Sequence, residues 1–175
     1  MKKNLSLVIA LIFTAALAMV PLFVKKDSLL TYLCMILLYI SLASSWNILG
    51  GYTGQVNLGH SAFFGLGAIA TRLLWFAGWK ILLGMVVGGA LAIVFALIIG
   101  SPAFKLRGAY FTIGTLALGQ ILFATVGNLF PQISSMPVQD LISYTLVTRY
   151  YLFLAIALIT VLVAYLIANS RWGLG

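Results

Sequence analysis

The chain has 175 residues, of which 63% are hydrophobic and only 7% charged; a soluble domain carries about 25% charged residues. With too few polar groups to cover a globular surface, the chain belongs in a bilayer. Its ten Lys and Arg against two acids are scattered between apolar runs. Nucleic acid would need them clustered in one basic patch, whereas scattered cations suit lipid headgroups and the setting of orientation.

A helix needs about 20 apolar residues to cross the hydrocarbon core, and the sequence offers such runs one after another. Leu5 to Val24 is the first, bracketed by Lys2, Lys3, Lys25 and Lys26. Ala16-Leu17-Ala18 resembles a cleavage site, but a signal-peptide core runs about 7–15 residues and this run is longer, so it reads as a retained span. Leu29 to Leu49 is the second. Ser41, Ser44 and Ser45 share one of its helical faces by their spacing, and that face belongs against protein because lipid offers hydroxyls no partner. Cys34 lies in the same run and reads as a small buried hydrophobe.

Between the second and third runs stands "GGYTGQVNLGHSAFFGLG", Gly50 to Gly67, in which six of eighteen residues are glycine. The third run is Ser61 to Trp79, with Arg72 inside it. The fourth, Ile81 to Ile99, carries Gly84, Gly88, Ala92, Ala96 and Gly100 at every fourth position, a stripe of small side chains suited to close helix packing. "SPAFKLRG" follows as a short basic loop, then a fifth run from Ala109 to Phe130. Pro131 to Arg149 reads as an extramembrane loop, and Tyr150 to Ala168 is the sixth run before the chain closes on "NSRWGLG". The expected fold is therefore all-α: a polytopic integral membrane protein of about six transmembrane helices, with a Gly-rich interrupted segment before the third. With a cytoplasmic N-terminus, Lys2, Lys3, Lys105, Arg107 and Arg171 fall inside and Lys25, Lys26, Lys80 and Arg149 outside. That bias is slight.

Catalytic chemistry is missing. There is no glutamate, and Asp27 and Asp140 both read as loop residues. No nucleophile stands beside a base, and no phosphate-binding Gly-x-x-x-x-Gly-Lys-Ser/Thr loop occurs. One histidine and one cysteine do not make a metal site. The expectation is a protein with no catalytic residues, no metal and no cofactor of its own.

The Gly50–Gly67 segment admits two readings. Non-helical backbone at membrane depth survives only where protein buries it or where it lines a watery cavity, and transporters build solute paths from such interruptions. On that reading Gly51, Gly54, Gln55, Asn57, Gly59 and His60 line a substrate path. On the other, the segment is an ordinary cytoplasmic loop with Asn57 as a helix N-cap and a packing face at Gly65 and Gly67. His60 is then a satisfied interfacial histidine.

"WNILGGYTGQVNLGHSAFFGLGAIA", Trp46 to Ala70, resembles the hallmark of permease subunits from branched-chain amino acid ABC importers, the LivM-like type. Gly51, Tyr52, Gly54, Gln55, Leu58, Gly59, His60, Ala62, Phe63, Phe64, Gly65, Gly67 and Ala68 match that pattern; Asn57 stands where serine is commoner. "SPAFKLRGAYFTIGTLALGQIL", Ser101 to Leu122, is similar to a second family motif through Pro102, Ala103, Leu106, Arg107, Gly108, Tyr110, Ile113, Thr115, Leu116, Gly119 and Gln120. Ala109 replaces an aspartate and Gln120 a frequent glutamate, which removes two acids. The resemblance extends over most of the chain from about Leu29 onward. It implies a permease subunit of an ATP-driven importer in the bacterial or archaeal inner membrane. Its expected partners are a second permease subunit, two ATPase subunits that bind the ATP, and an extracytoplasmic solute-binding protein. Ser170, Arg171, Trp172 and Gly173 match the start of the ATPase-coupling loop, so the resemblance implies a cytoplasmic C-terminus and a single permease domain over residues 1–175 that stops before most of that loop. A urea or amide importer of the same superfamily and a non-transporting scaffold fragment are the alternatives.

Overall fold

The computed structural model describes residues 2–24, 26–129 and 144–170, with side chains from residue 12 onward. Among these residues the chain is all α-helical: α1 (Lys2–Phe23), α2 (Asp27–Gly50), α3 (His60–Phe76), α4 (Ile81–Ala103), α5 (Ala109–Leu129) and α6 (Leu146–Ala168). Four of them, α2, α4, α5 and α6, are long and apolar enough to cross a membrane. The large side chains that face outward, such as Tyr32, Leu97, Phe123 and Ile159, belong with lipid tails, since a bilayer removes the penalty that water would impose on them. The chain is a polytopic membrane protein.

Helix ends differ from the expected ones where local chemistry extends a turn. Asp27 is the first residue of α2 and not a loop residue; a carboxylate there sits favourably against the free N–H groups of the first turn. Ser101, Pro102 and Ala103, read as loop, complete α4. Arg149, placed in a loop, lies in the first turn of α6, whose N-cap Thr145 accepts a hydrogen bond from the Thr148 amide. The guanidinium of Arg149 rests over the Tyr144 ring, 5.0 Å from its centroid. Helix α3 is shorter than its apolar run and ends at Phe76, where Arg72 lies over the Phe76 ring at 5.2 Å. Asp140 and the rest of residues 131–143 lie outside the described residues.

The described chain falls into two compact units. One holds α1, α2 and α6, with a core of Leu30, Cys34, Leu37, Tyr150, Leu154 and Ala157. Cys34 is buried and free, the small hydrophobe that the sequence suggests. Ser41 is buried too, but its hydroxyl turns back onto the Leu37 carbonyl of its own helix at 2.9 Å, as Ser45 does onto Leu42. Pro21 lies inside α1. A proline has no N–H, so the carbonyl four residues earlier, that of Leu17, loses its helical donor. The Tyr150 hydroxyl donates to that carbonyl at 2.8 Å, the repair by a neighbouring helix that lets proline persist in membrane helices.

The other unit holds the glycine segment with α3, α4 and α5. Here α3 and α4 approach backbone to backbone. A Cβ on Gly88 would lie 2.5 Å from the Gly67 carbonyl oxygen, and one on Gly84 would lie 3.1 Å from that of Thr71. The Thr71 hydroxyl sits 2.7 Å from the Gly67 carbonyl and 3.2 Å from the Gly84 carbonyl, so its proton serves both helices. Ala92 continues the contact toward Gly67, and Phe63 meets Phe95 edge to face. Ala96 is half-buried one turn further on.

Candidate functional site

Helix α2 ends at Gly50, and the chain is not helical again until His60. Gly54 makes this possible: its φ of 68° lies in the left-handed region where a Cβ is strained. Gly51 and Gly54 are exposed, Gln55 and His60 are half-buried, and Asn57 and Gly59 are buried. The six residues proposed from sequence thus form one continuous turn leading into α3.

Several groups of the freed backbone have defined partners. Asn57 does not cap α3, as the loop reading expects. Its side-chain oxygen accepts from the Gly59 amide two residues on, at 2.8 Å, and Gly59 itself is the N-cap, with no side-chain cap bond. Two threonines of α5 bind two further backbone groups. Thr112 donates its hydroxyl to the Val56 carbonyl at 2.9 Å, and Thr115 accepts from the Leu58 amide at 3.2 Å. Between these bonds Gly59 lies flat against α5, where a Cβ would collide with the Thr115 carbonyl oxygen. Tertiary hydrogen bonds to α5 thus join the local turns at Gly54 and Asn57 in holding the segment open. One polar atom is left over: Gln55 Oε1 is buried with no hydrogen-bond partner among the described residues.

Position along α5 gives the segment a depth. Thr115 is six residues beyond the start of α5, hence roughly 9 Å along its axis at 1.5 Å per residue. Helix α5 is a candidate span from its first residue, so α3 begins well below the level at which α5 begins. At seventeen residues, α3 measures roughly 25 Å, short of the 30 Å of hydrocarbon a span must cover. Beside the non-helical segment, two cavities open along α3 and α5, lined by residues such as Leu58, Ser61, Gly65, Gly119 and Gln120.

Thr112, Thr115 and Thr71 are the residues that sequence reasoning missed. Thr112 and Thr115 are three apart on one face of α5, a hint of a polar stripe in an apolar span, but their partners lie 56 and 57 residues away. At the other end of the chain Ser170 closes α6, its amide and hydroxyl both bonded to the Ile167 carbonyl. Arg171, Trp172 and Gly173 lie outside the described residues.

Four helices long and apolar enough to cross a membrane, with a hydrogen-bonded break between α2 and α3, place the chain among polytopic membrane proteins. The chain belongs to the family described as "Branched-chain amino acid transport system / permease component", whose model matches residues 28–175. It is a transport permease of the bacterial inner membrane and not an enzyme. It is 31% identical over 87 residues to the high-affinity branched-chain amino acid transport system permease protein LivM of Escherichia coli (strain K12), covering 49% of this chain and 20% of that protein. A LivM of Salmonella typhimurium (strain LT2) is 30% identical over 89 residues, 50% of this chain and 21% of its own length. The matched region thus spans about a fifth of the length of these curated relatives. No solved structure matches.

Proposed function

We propose that the chain is the transmembrane permease subunit of an ATP-driven importer for branched-chain, hydrophobic amino acids. It forms part of a translocation path that works by alternating access. The observation that carries this reading is the Gly51–Gly59 break: non-helical, clamped by Thr112 and Thr115, and beside a cavity in a membrane protein. Backbone is left unwound at such depth where a solute must pass. The buried oxygen of Gln55 is a group that a passing ammonium could satisfy.

The family also supports the expected partners: a second permease subunit, two ATPase subunits that bind the ATP, and an extracytoplasmic solute-binding protein. With cytoplasmic termini, the 50–59 segment and the α4–α5 turn both face the cytoplasmic half. On that reading the loop expected over Pro131 to Arg149 belongs to the side of the binding protein, and Ser170 to Gly173 to the start of the ATPase-coupling loop. The Gly84–Ala96 stripe serves helix packing.

The test is uptake of labelled leucine into vesicles carrying the complete importer, with unlabelled isoleucine, valine or urea as competitors. Isoleucine and valine should abolish leucine uptake and urea should leave it unchanged. Competition by urea, or no leucine uptake at all, would overturn the reading.

A further inference from the structure

The two cavities beside the break join into one groove along α3 and α5. The larger, about 300 Å³, has Gly65, Leu66, Ile69, Leu122 and Val126 on its walls. The smaller, about 260 Å³, has Leu58, Leu116 and Gln120. Ser61, Gly119 and Phe123 border both. The lining therefore changes along the groove: hydrocarbon in most of the larger cavity, the Ser61 hydroxyl where the two meet, and the Gln120 carboxamide in the smaller, next to the unwound segment.

This groove is not a seam between helices like that of α3 and α4. A Cβ added at Gly65 or Gly127 would meet nothing within 4 Å, and one at Gly119 would only reach ordinary contact with Ser61 and Gly59 at 4.0 Å. Glycine there leaves open volume instead of bringing backbones together. A site of a few hundred Å³, mostly apolar, with few polar groups gathered at one end, is the usual form of a small-molecule subsite. Its occupant must be two-ended, apolar at one end and hydrogen-bonding at the other.

Resting on the importer function proposed above, we infer that this groove is the side-chain subsite of the permease. The branched aliphatic side chain of an α-amino acid fills the larger cavity. Its ammonium and carboxylate groups lie in the smaller one, beside Ser61 and Gln120. Substrate discrimination then has a second checkpoint within the membrane, set by the volume left at Gly65 and Gly127. Urea has no apolar end to place in the larger cavity.

The experiment uses the complete importer in vesicles, with the same solute-binding protein in every arm so that only the permease differs. Gly65→Val and Gly127→Val add methyl groups into open space. The ratio of leucine to alanine uptake should fall about tenfold, within the range that one or two methylenes command in an apolar pocket. Leu122→Ala should move the ratio the other way. Ser61→Ala and Gln120→Leu should lower uptake of both solutes alike. If the valine variants fail to assemble, Gly127→Cys in a Cys34→Ala background decides: leucine should slow maleimide labelling at least threefold, and alanine less. An unchanged ratio, or labelling indifferent to leucine, overturns the subsite while leaving leucine import standing. A wild-type importer that takes up no amino acid overturns both.

Discussion

The two units solve the same problem with opposite materials. In the unit of α1, α2 and α6, contact is made by large side chains: Leu30, Leu37 and Leu154 pack around Tyr150, which is wholly buried. In the unit of α3, α4 and α5, contact is made by the absence of side chains, at Gly67 against Gly88 and Gly59 against Thr115. Lipid is as apolar as leucine, so burying leucine between membrane helices gains little from the hydrophobic effect. What remains is close packing and hydrogen bonding. Large side chains give a broad contact that tolerates small shifts. Glycine contacts fix the interaxial distance and allow no intrusion. The glycine-packed unit is also the one that carries the break between helices. An unwound segment keeps its geometry only if what it rests on does not move.

The sharpest way to break this contrast is to place a side chain in the glycine seam. Gly88→Val puts its Cβ 2.5 Å from the Gly67 carbonyl and 2.6 Å from the Thr71 hydroxyl. Neither neighbour is the free end of a flexible chain, so α3 and α4 must separate. The expected loss is above about 3 kcal/mol, beyond ordinary overpacking, and the folded yield should collapse on size-exclusion chromatography in detergent. Gly59→Ala comes next. Its Cβ meets the Thr115 carbonyl, so α3 should lift from α5 and the Leu58–Thr115 bond should lengthen. A cost of about 2–3 kcal/mol is expected. The larger effect should be on uptake, because the break itself is displaced. A Gly59→Ala variant with wild-type stability and uptake would show that Gly59 does not set the position of the segment.

What could be read from the sequence follows the same division. The apolar runs mark all six helices because span length is a property of composition. The four-residue spacing from Gly84 to Ala96 marks a packing face. The sequence does not name the partner of that face: Gly67 and Thr71 lie on another helix, and no local period connects them to Gly84 and Gly88. The break was visible in Gly51, Gly54 and Gly59, but the clamp was not. Thr112 and Thr115 are unremarkable in an apolar helix until the fold brings residues 56 and 58 beside them. The loop reading takes Asn57 for an N-cap because an Asx turn and an N-cap use the same side-chain oxygen. Only the positions of the following amides tell them apart.

In the side-chain-packed unit the corresponding test is smaller and concerns one proton. Tyr150→Phe keeps the ring and its packing but removes the donor to the Leu17 carbonyl. The expected cost is about 1 kcal/mol, since hydrogen bonds between membrane helices are modest. Pro21 makes the test specific. In a Pro21→Leu background residue 21 regains an N–H, the Leu17 carbonyl recovers its own helical donor, and removal of the tyrosine hydroxyl should then cost about half as much. Unfolding midpoints of the four proteins in a detergent titration close that cycle. A Tyr150→Phe penalty that is the same with and without the proline would mean that the hydroxyl does something other than stand in for the missing amide.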